Sequence, residues 1–370
     1  MTITENLKRE IFQNKIKVFR NFLRIYLQRD FYGGDSVNVR EQSELIERQT
    51  LSKYACLSEN SKGRLQPEEK CPIRTEFQRD RDRIIHCKAF RRLKHKTQVF
   101  LSPVGDHYRT RLTHTLEVAQ IARTIARALR VNEDLTEAVA LGHDLGHTPF
   151  GHAGESALND ICPDGFRHFE QSLRVVDILA NDGQGLNLTY ETRNGILCHT
   201  RGQEADTVEG RIVKIADRIA YINHDIDDAV RAGVMEISDI PKDILEILGY
   251  SHSQRINTLV FSLIENTVDE NLKMENSVQS AFDRLHQFMF DEVYLKDHAK
   301  SEMQKIPQFI GALYKHFTKN PDDMPKEMQD IAKRFSVERA VCDYIAGMTD
   351  KYAVEKYESL FVPHSWNSKI

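Results

Sequence analysis

The amino-acid sequence predicts an almost entirely α-helical protein. Apolar residues recur every three or four positions through most of the chain, which is the spacing of one face of an α-helix. Runs that alternate between apolar and polar residues, which would indicate β-strands, are sparse, and no repeat of roughly 20 to 50 residues is visible. Because 370 residues exceed the usual size of one domain, we expect a large helical core with further helices packed on it.

Composition narrows the classes of function. The net charge of −4 and the pI near 6.4 provide no overall attraction to nucleic acid or to an anionic membrane, so any polyanion site must be local. No run of about 18 apolar residues and no signal-peptide core occurs, which predicts a cytoplasmic protein without a membrane partner. The six cysteines include no C-x-x-C pair, so neither a zinc ribbon nor a disulfide framework is expected.

The chain divides into three predicted regions. Residues 1–38 alternate Lys and Arg with apolar residues and form a basic amphipathic extension, which we expect to pack on the protein rather than on a membrane or a partner. Residues 39–235 contain the clusters of chemically active residues and form the core. Residues 236–370 form a C-terminal helical region packed on that core. Within it, residues 343–350 are a specific motif whose chemistry is not evident from residue types.

Nine Lys and Arg residues crowd residues 74–96. Ile85, Ala89, Phe90 and Leu93 keep helical spacing there, which predicts a helix with one buried face and one basic face. The basic face is either a phosphate-binding surface or a solvated, salt-bridged one, and both interpretations stay open.

The densest cluster of chemically active residues lies in residues 138–155. An apolar helical run ends at the adjacent pair His143 and Asp144, and turn formers such as Pro149 and Gly151 keep the following groups close. A His-rich surface loop is the alternative, but candidate metal ligands elsewhere in the chain argue for an active site. The groups that follow the pair are His147, His152 and Glu155.

Two other predicted helices carry further candidate ligands. His114 begins a helix and shares its apolar face, so the imidazole points inward as either a ligand or a core histidine. Asp217, Tyr221 and Asp225 recur at every fourth position of a later helix and form one polar strip beside alanines. A carboxylate buried there needs a cation or a hydrogen-bond donor, whereas a solvated acidic face is the alternative.

These residues form a mixed nitrogen and oxygen set suited to a divalent metal. Imidazoles and carboxylates bind Mg, Mn or Co, with Fe, Ni or Zn as alternatives, and leave positions open for water and substrate. Such a metal polarises a phosphoryl oxygen and lowers the pKa of a bound water, which predicts hydrolysis of a phosphate ester or anhydride. The predicted ligands are His114, His143, Asp144 and Asp217.

Neighbouring residues are candidates for proton transfer and for phosphate binding. His152 and Glu155 are one helical turn apart if a helix begins after Gly151, and His147 lies close to them in sequence. Arg111, near His114, would neutralise phosphate oxygens together with the basic residues 74–96.

These motifs resemble those of the HD-domain metal phosphohydrolases, and specifically the bacterial deoxyguanosinetriphosphate triphosphohydrolase-like family. The resemblance extends from about residue 39 to near the C-terminus and does not require residues 1–38. The sequence His168-Phe169-Glu170 departs from the His-Asn-Ala that is common in the family. The matching stretches are residues 78–86, 89–93, 96–100, 109–114, 143–155, 216–221 and 344–350.

The resemblance implies an HD-domain helical bundle with additional C-terminal helices. It implies a metal held by the four predicted ligands, and hydrolysis of a dNTP, with dGTP favoured, to a deoxynucleoside and intact triphosphate. Water would attack the α-phosphorus. His152, supported by Glu155, would act at the reacting phosphate and protonate the leaving 5′-oxygen.

The resemblance also implies contacts with substrate and partners. Gln98 and Asp225 would hold the 3′-hydroxyl, and Tyr221 would lie against the deoxyribose and exclude a 2′-hydroxyl. Arg111 and His147 would contact phosphates. Similar enzymes form homo-oligomers, and some bind regulatory dNTPs or single-stranded DNA.

Two alternative functions stay open. An HD phosphodiesterase acting on another nucleotide would release orthophosphate or a linear nucleotide instead of triphosphate. A regulator that has lost catalysis would bind nucleotide or single-stranded DNA through the arginines of residues 74–96. The intact His152 and Glu155 argue against this second alternative, because a binding protein needs no group for proton transfer.

Overall fold

The computed structural model describes residues 38–98, 109–200, 202, 204–294 and 300–363. The prediction of an all-α fold is confirmed: within these ranges the only extended pairings are three isolated bridges, and no strand forms. Apart from Asn38, the predicted N-terminal extension of residues 1–38 lies outside the described residues.

The helices up to residue 231 are short except for two that cross the middle of the molecule, α4 and α9. They are α1 (Val39–Thr50), α2 (Glu76–His86), α3 (Lys88–Arg92), α4 (Arg111–Leu129), α5 (Glu133–Gly142), α6 (Gly151–Ile161), α7 (His168–Arg174), α8 (Tyr190–Leu197) and α9 (Val208–Arg231).

Helix α4 packs against both α5 and α9 and is the centre of the first hydrophobic core. Its start is set by the Thr110 side chain, which accepts a hydrogen bond from the Thr113 amide, and it ends where Arg130 takes a left-handed backbone conformation. Val118, Ala122 and Ile125 on its inner face are fully buried. Burial of each larger apolar side chain stabilises the fold by about 1.5–3 kcal/mol, so this packing holds α4 in place.

The C-terminal helices join two different cores. Helices α10 to α12 continue the first core on α9, whereas α14, α15 and α16 form a second hydrophobic core with α6. The second core therefore supports the helix that carries His152 and Glu155. The C-terminal helices are α10 (Lys242–Leu248), α11 (His252–Asn266), α12 (Asn276–Met289), α13 (Lys300–Met303), α14 (Ile306–Lys319), α15 (Lys326–Arg334), α16 (Val337–Ala346) and α17 (Asp350–Phe361).

One disulfide bond joins the end of α6 to α16. It links Cys162 and Cys342, which are 180 residues apart in sequence and both buried. The expectation that the cysteines form no disulfide framework was wrong for this pair. The packing of the helices brings the two thiols together, and their spacing in the sequence does not indicate it.

The basic segment of residues 74–96 is not one continuous helix. It breaks at Cys87, whose backbone is extended, and the break changes the phase so that Ile85 is exposed. Arg79, Arg81 and Arg83 all form ion pairs with acidic side chains. These contacts favour the salt-bridged interpretation for the three arginines.

Candidate metal-dependent active site

Three helices place the four predicted metal ligands around one buried point. His114 lies in the first turn of α4, His143 and Asp144 directly follow α5, and Asp217 lies midway along α9. Nε2 of His114 is 3.1 Å from Oδ1 of Asp217. The ligating atoms of His114, His143 and Asp144 lie within 4.8 Å of one another. The packing of α4 against α5 and α9 thus gathers ligands from three separate parts of the chain.

The orientation of His143 fits a metal ligand. Nδ1 of His143 is 2.6 Å from the Ala140 carbonyl oxygen, so in the neutral imidazole Nδ1 is the donor and Nε2 carries the lone pair. Nε2 is buried, has no hydrogen-bond partner among the described residues, and faces Oδ1 of Asp144 at 3.4 Å. Two acceptors that face each other in this way are satisfied by a cation between them. The residues present therefore fit a divalent metal.

Both carboxylates of the cluster are held in the ionised form. Burial would raise the pKa of Asp144, but His143, His147 and the Arg111 guanidinium outweigh it, so that the pKa lies well below its usual value. Burial likewise opposes ionisation of Asp217, and its hydrogen bond with His114 and the nearby His143 lower the pKa. Two anionic carboxylates beside two imidazoles are the ligands that many divalent metals prefer.

The turn after α5 is fixed by α7. The Ser172 hydroxyl donates to the His143 carbonyl oxygen at 2.6 Å and accepts from the Gly146 amide at 2.9 Å. Gly146 lies directly against α7, where a Cβ would collide with the His168 carbonyl oxygen and the Ser172 amide. Only glycine permits this approach, which brings His168 next to the metal cluster.

A second cluster lies beside the metal ligands and is centred on Glu155. The Glu155 carboxylate accepts from the backbone amide of His168 at 2.8 Å and lies 2.9 Å from Nδ1 of the same residue. Nδ1 of His152 lies 3.3 Å from the other carboxylate oxygen, and the His152 side chain is 75% exposed. Burial would raise the pKa of Glu155, but hydrogen bonds from His152 and His168 hold it well below its usual value.

His199 extends this cluster towards the metal site. Its Nδ1 is 2.7 Å from the Ile196 carbonyl oxygen and must donate, so its Nε2 is an acceptor, 3.3 Å from Nε2 of His168. Burial, followed by His143 and His168, lowers the pKa of His199 to about 3, so this ring is neutral. His168 therefore faces the Glu155 carboxylate at Nδ1 and the acceptor nitrogen of His199 at Nε2.

Two known domains match this chain, and several known proteins resemble it over most of its length. Residues 111–222 match the HD domain, and residues 272–359 match the phosphohydrolase-associated domain. The deoxyguanosinetriphosphate triphosphohydrolase-like protein of Caldanaerobacter subterraneus subsp. tengcongensis is 58% identical over 331 residues, covering 89% of this chain and 98% of the relative. Proteins of the same description from Desulfatibacillum aliphaticivorans and Clostridium perfringens are each 48% identical, over 88% of this chain and 99% and 98% of their own lengths.

The chain belongs to the deoxyguanosinetriphosphate triphosphohydrolase-like family. It is a hydrolase of the HD class, whose members are metal-dependent phosphohydrolases, and the matched HD domain contains all four predicted ligands. Within the described ranges no helix has the length and apolar character needed to cross a membrane.

In this family member, the residues predicted to contact phosphates are buried beside the metal cluster. Arg111 donates from Nη1 to Oδ2 of Asp144 at 2.9 Å and from Nη2 to the Gln98 carbonyl oxygen at 3.3 Å. Nε2 of His147 lies 3.3 Å from Asp144, and its ring stacks on His168 with centroids 4.1 Å apart. Ligating atoms of Asp144, His147 and His168 also lie within 4.8 Å of one another.

The residues predicted to bind the sugar lie on two segments. Gln98 is almost fully buried, and its Oε1 has no hydrogen-bond partner in the part of the chain that the structure describes. Tyr221 and Asp225 follow Asp217 on the same strip of α9, with Asp225 buried and Tyr221 half-buried against the edge of His286. Tyr221 therefore lies one helical turn beyond Asp217 on α9, and Asp225 lies one turn further.

Sequence reasoning gave no role to two residues of this site, His168 and His199. They come from α7 and from the end of α8, which pack against each other, and α8 also packs against α5. No spacing along the chain relates them to Glu155 or His143. The departure at residues 168–170 drew attention to this stretch, but the contact with Glu155 is visible only in the fold.

Proposed function

We propose that the protein hydrolyses deoxynucleoside triphosphates, with dGTP favoured, to a deoxynucleoside and inorganic triphosphate. The observation that carries this proposal is a buried His/Asp cluster with a second cluster, of Glu155, His152 and His168, directly beside it. The description shared by the relatives supports the same substrate class. In the reaction, water attacks the α-phosphorus, the bond to the 5′-oxygen breaks, and that oxygen takes a proton.

The metal would be held by two imidazoles and two carboxylates. A divalent ion, Mg, Mn or Co, with Fe, Ni or Zn as alternatives, would supply a Lewis acid and a bound water of lowered pKa. The chain contributes the ionised carboxylates, and the Ser172 contacts fix the backbone at His143 and Gly146. The proposed ligands are His114, His143, Asp144 and Asp217.

We assign protonation of the leaving 5′-oxygen to His152, supported by Glu155. His152 is the exposed member of the histidine cluster, so a substrate reaches its ring, and Glu155 orients it from one helical turn away. His168 would keep the Glu155 carboxylate ionised and in place through its two hydrogen bonds.

The proposed substrate contacts follow the two segments beside the metal cluster. Gln98 and Asp225 would hold the 3′-hydroxyl, since each is a buried polar side chain. Tyr221 would lie against the deoxyribose face and leave no room for a 2′-hydroxyl. Arg111 and His147 would contact phosphate oxygens, for which a guanidinium is a suitable partner.

Product analysis tests the proposal. The four dNTPs are supplied singly and in mixtures with Mg, Mn and Co, and nucleoside, triphosphate and orthophosphate are measured. Release of nucleoside and triphosphate in equal amounts is expected, with dGTP the best substrate. Orthophosphate or a linear nucleotide would indicate another HD phosphohydrolase, and binding without turnover would indicate a regulator.

The same assay addresses partners. We propose a homo-oligomer that accepts a regulatory dNTP. A hydrolysis rate in a mixture of dNTPs that exceeds the sum of the rates for the single dNTPs would support activation. Single-stranded DNA is the other proposed effector. The ion pairs of Arg79, Arg81 and Arg83 reduce the positive charge that these three side chains of residues 74–96 offer to a polyanion.

A further inference from the structure

Asp350, the last residue of the motif at residues 343–350, contacts two segments that border the proposed active site. Asp350 lies in the first turn of α17, whose N-cap is Thr349. Its Oδ2 accepts from the backbone amide of Thr97 at 3.0 Å and from the Thr97 hydroxyl at 2.7 Å. Its Oδ1 accepts from the backbone amide of Phe150 at 3.0 Å. One side chain of the C-terminal region therefore holds two separate backbone segments.

Both segments lead directly to proposed site residues. Thr97 precedes Gln98, and Phe150 is the N-cap of α6, which carries His152 in its first turn. Phe150 has a φ of 62°, a left-handed conformation that a phenylalanine keeps only when its surroundings impose it. The hydrogen bond from the Phe150 amide to Asp350 is such a constraint.

The two segments also touch each other. A Cβ added at Gly151 would lie 3.0 Å from the Gln98 carbonyl oxygen, and Arg111 donates to that same oxygen. Beside them, Nζ of the buried Lys96 donates to the His147 carbonyl oxygen and, at 2.7 Å, to the Ala346 carbonyl oxygen. The chain around Gln98 is thus held by the C-terminal region on one side and by the turn after α5 on the other.

We propose that Asp350 is a positioning residue of the active site, which sets the spacing between Gln98 and His152 by binding the backbone of Thr97 and Phe150 together. This inference rests on the proposed function, in which Gln98 holds the 3′-hydroxyl and His152 serves the 5′-oxygen. The two groups act at opposite ends of the same deoxyribose, so a change in their spacing weakens both contacts. Misplacement of about 1 Å costs up to about 10²-fold in rate.

Asp350→Asn tests the inference with little change in shape. Its side-chain amide retains one acceptor oxygen, so one of the two backbone segments loses its partner and faces another donor. We expect kcat/KM for dGTP to fall by about 10- to 100-fold. We also expect the preference for dGTP over 2′,3′-dideoxyguanosine triphosphate to shrink, as we expect for Gln98→Ala, because a displaced Gln98 no longer binds the 3′-hydroxyl. A general loss of stability would instead lower kcat/KM equally for both substrates and leave the preference unchanged.

Two further variants separate positioning from folding. Thr97→Val keeps the volume and removes only the hydroxyl donor, so it should shift the same preference by a smaller factor. Arg334→Gln removes a different contact of the C-terminal region, to the Gly183 carbonyl oxygen, and should leave both rate and preference unchanged.

Backbone exchange provides a readout that does not depend on activity. In Asp350→Asn, but not in Arg334→Gln, the peptide whose backbone amide has lost its acceptor, at Thr97 or at Phe150, should exchange amide hydrogen for deuterium faster than in the wild type. A folded Asp350→Asn protein with wild-type exchange, kcat/KM and 3′-hydroxyl preference would overturn the inference. A wild-type protein that hydrolyses no dNTP would overturn the proposed function instead, and faster exchange at either peptide of Asp350→Asn would still support the contact.

Discussion

Nδ1 of His168 lies 2.9 Å from the Glu155 carboxylate. This contact is shorter than the 3.3 Å between His152 and the same carboxylate, and the backbone amide of His168 adds another hydrogen bond. Glu155 is therefore anchored by His168, while the exposed ring of His152 is the freer of the two. Removal of His152 and removal of His168 should therefore lower kcat in different ways.

His152→Ala is expected to keep metal and nucleotide affinity while kcat falls by about 10²- to 10⁴-fold, the span usual for a lost general acid. Glu155→Gln should lower kcat less, because it changes only the orientation and basicity of the imidazole. It should move the alkaline limb of the pH profile, because a general acid acts only while it is protonated. Three measurements show whether His152 transfers a proton or binds the metal: nucleotide binding by calorimetry, metal content, and kcat as a function of pH. Metal lost from His152→Ala would make this residue a ligand, and an undiminished kcat would leave it outside the reaction.

His168→Ala should also lower kcat, but through Glu155. Without His168 the carboxylate loses two hydrogen bonds, so the pKa of Glu155 should rise towards its ordinary value and the acid limb of kcat should shift to higher pH. His316→Ala, which alters a histidine paired with Asp323 far along the chain, is the control. An unshifted acid limb in His168→Ala would contradict the role given to this residue.

Asp217→Ala and His143→Ala are each expected to abolish bound metal and activity, because loss of one ligand opens the shell and leaves its partners unneutralised. Metal content by atomic absorption and turnover of dGTP provide the measurement. Asp330→Ala, at an exposed carboxylate on α15 paired with two lysines, should change neither. Full metal content in either site variant would remove that residue from the shell.

Tyr221→Ala tests discrimination against ribonucleotides. If the phenol ring occupies the space of a 2′-hydroxyl, the variant should gain activity on GTP relative to dGTP, by up to a few kcal/mol of discrimination in a rigid pocket. The ratio of kcat/KM for the two substrates is the measurement. An unchanged ratio would show that another group excludes the 2′-hydroxyl.

The disulfide bond between Cys162 and Cys342 predicts a definite thiol count. The denatured, unreduced protein should react with four equivalents of alkylating agent, at Cys56, Cys71, Cys87 and Cys198, and with six after reduction. Reduction should lower the free energy of unfolding by about 2–4 kcal/mol, since the bond closes a long loop in the unfolded chain. Six reactive thiols without reductant would rule the bond out.

Lys96 predicts a pH dependence of stability. Burial, followed by the nearby Arg92, lowers the pKa of Lys96 to about 7, below its ordinary value of 10.5. Between these two values the unfolded chain binds a proton at Lys96 that the folded protein does not. The free energy of unfolding should therefore rise with pH, by up to about 1.4 kcal/mol per unit. Denaturant unfolding of wild type and Lys96→Met should diverge in this direction above about pH 7, and parallel curves would refute it.

Some of the site follows from sequence because its chemistry is local. His143, Asp144, His147, His152 and Glu155 lie within thirteen residues, and a turn in such a stretch necessarily keeps their side chains near one another. Asp217 was identified because helical periodicity placed a carboxylate on a buried face, where it needs a counter-charge. In both cases the relevant distance along the chain is a few residues.

The α-helical fold class, the family and the residue types of a metal centre follow from the amino-acid sequence alone. These depend on periodicity and on motifs that are read within one segment. Only the tertiary structure decided that Glu155 bonds His168, that Cys162 meets Cys342, and that Asp350 binds Thr97 and Phe150. Except for the first, these contacts join residues 180 or more positions apart. The physical reason is that such pairs are set by how helices pack, and packing depends on the burial of whole faces rather than on any local spacing.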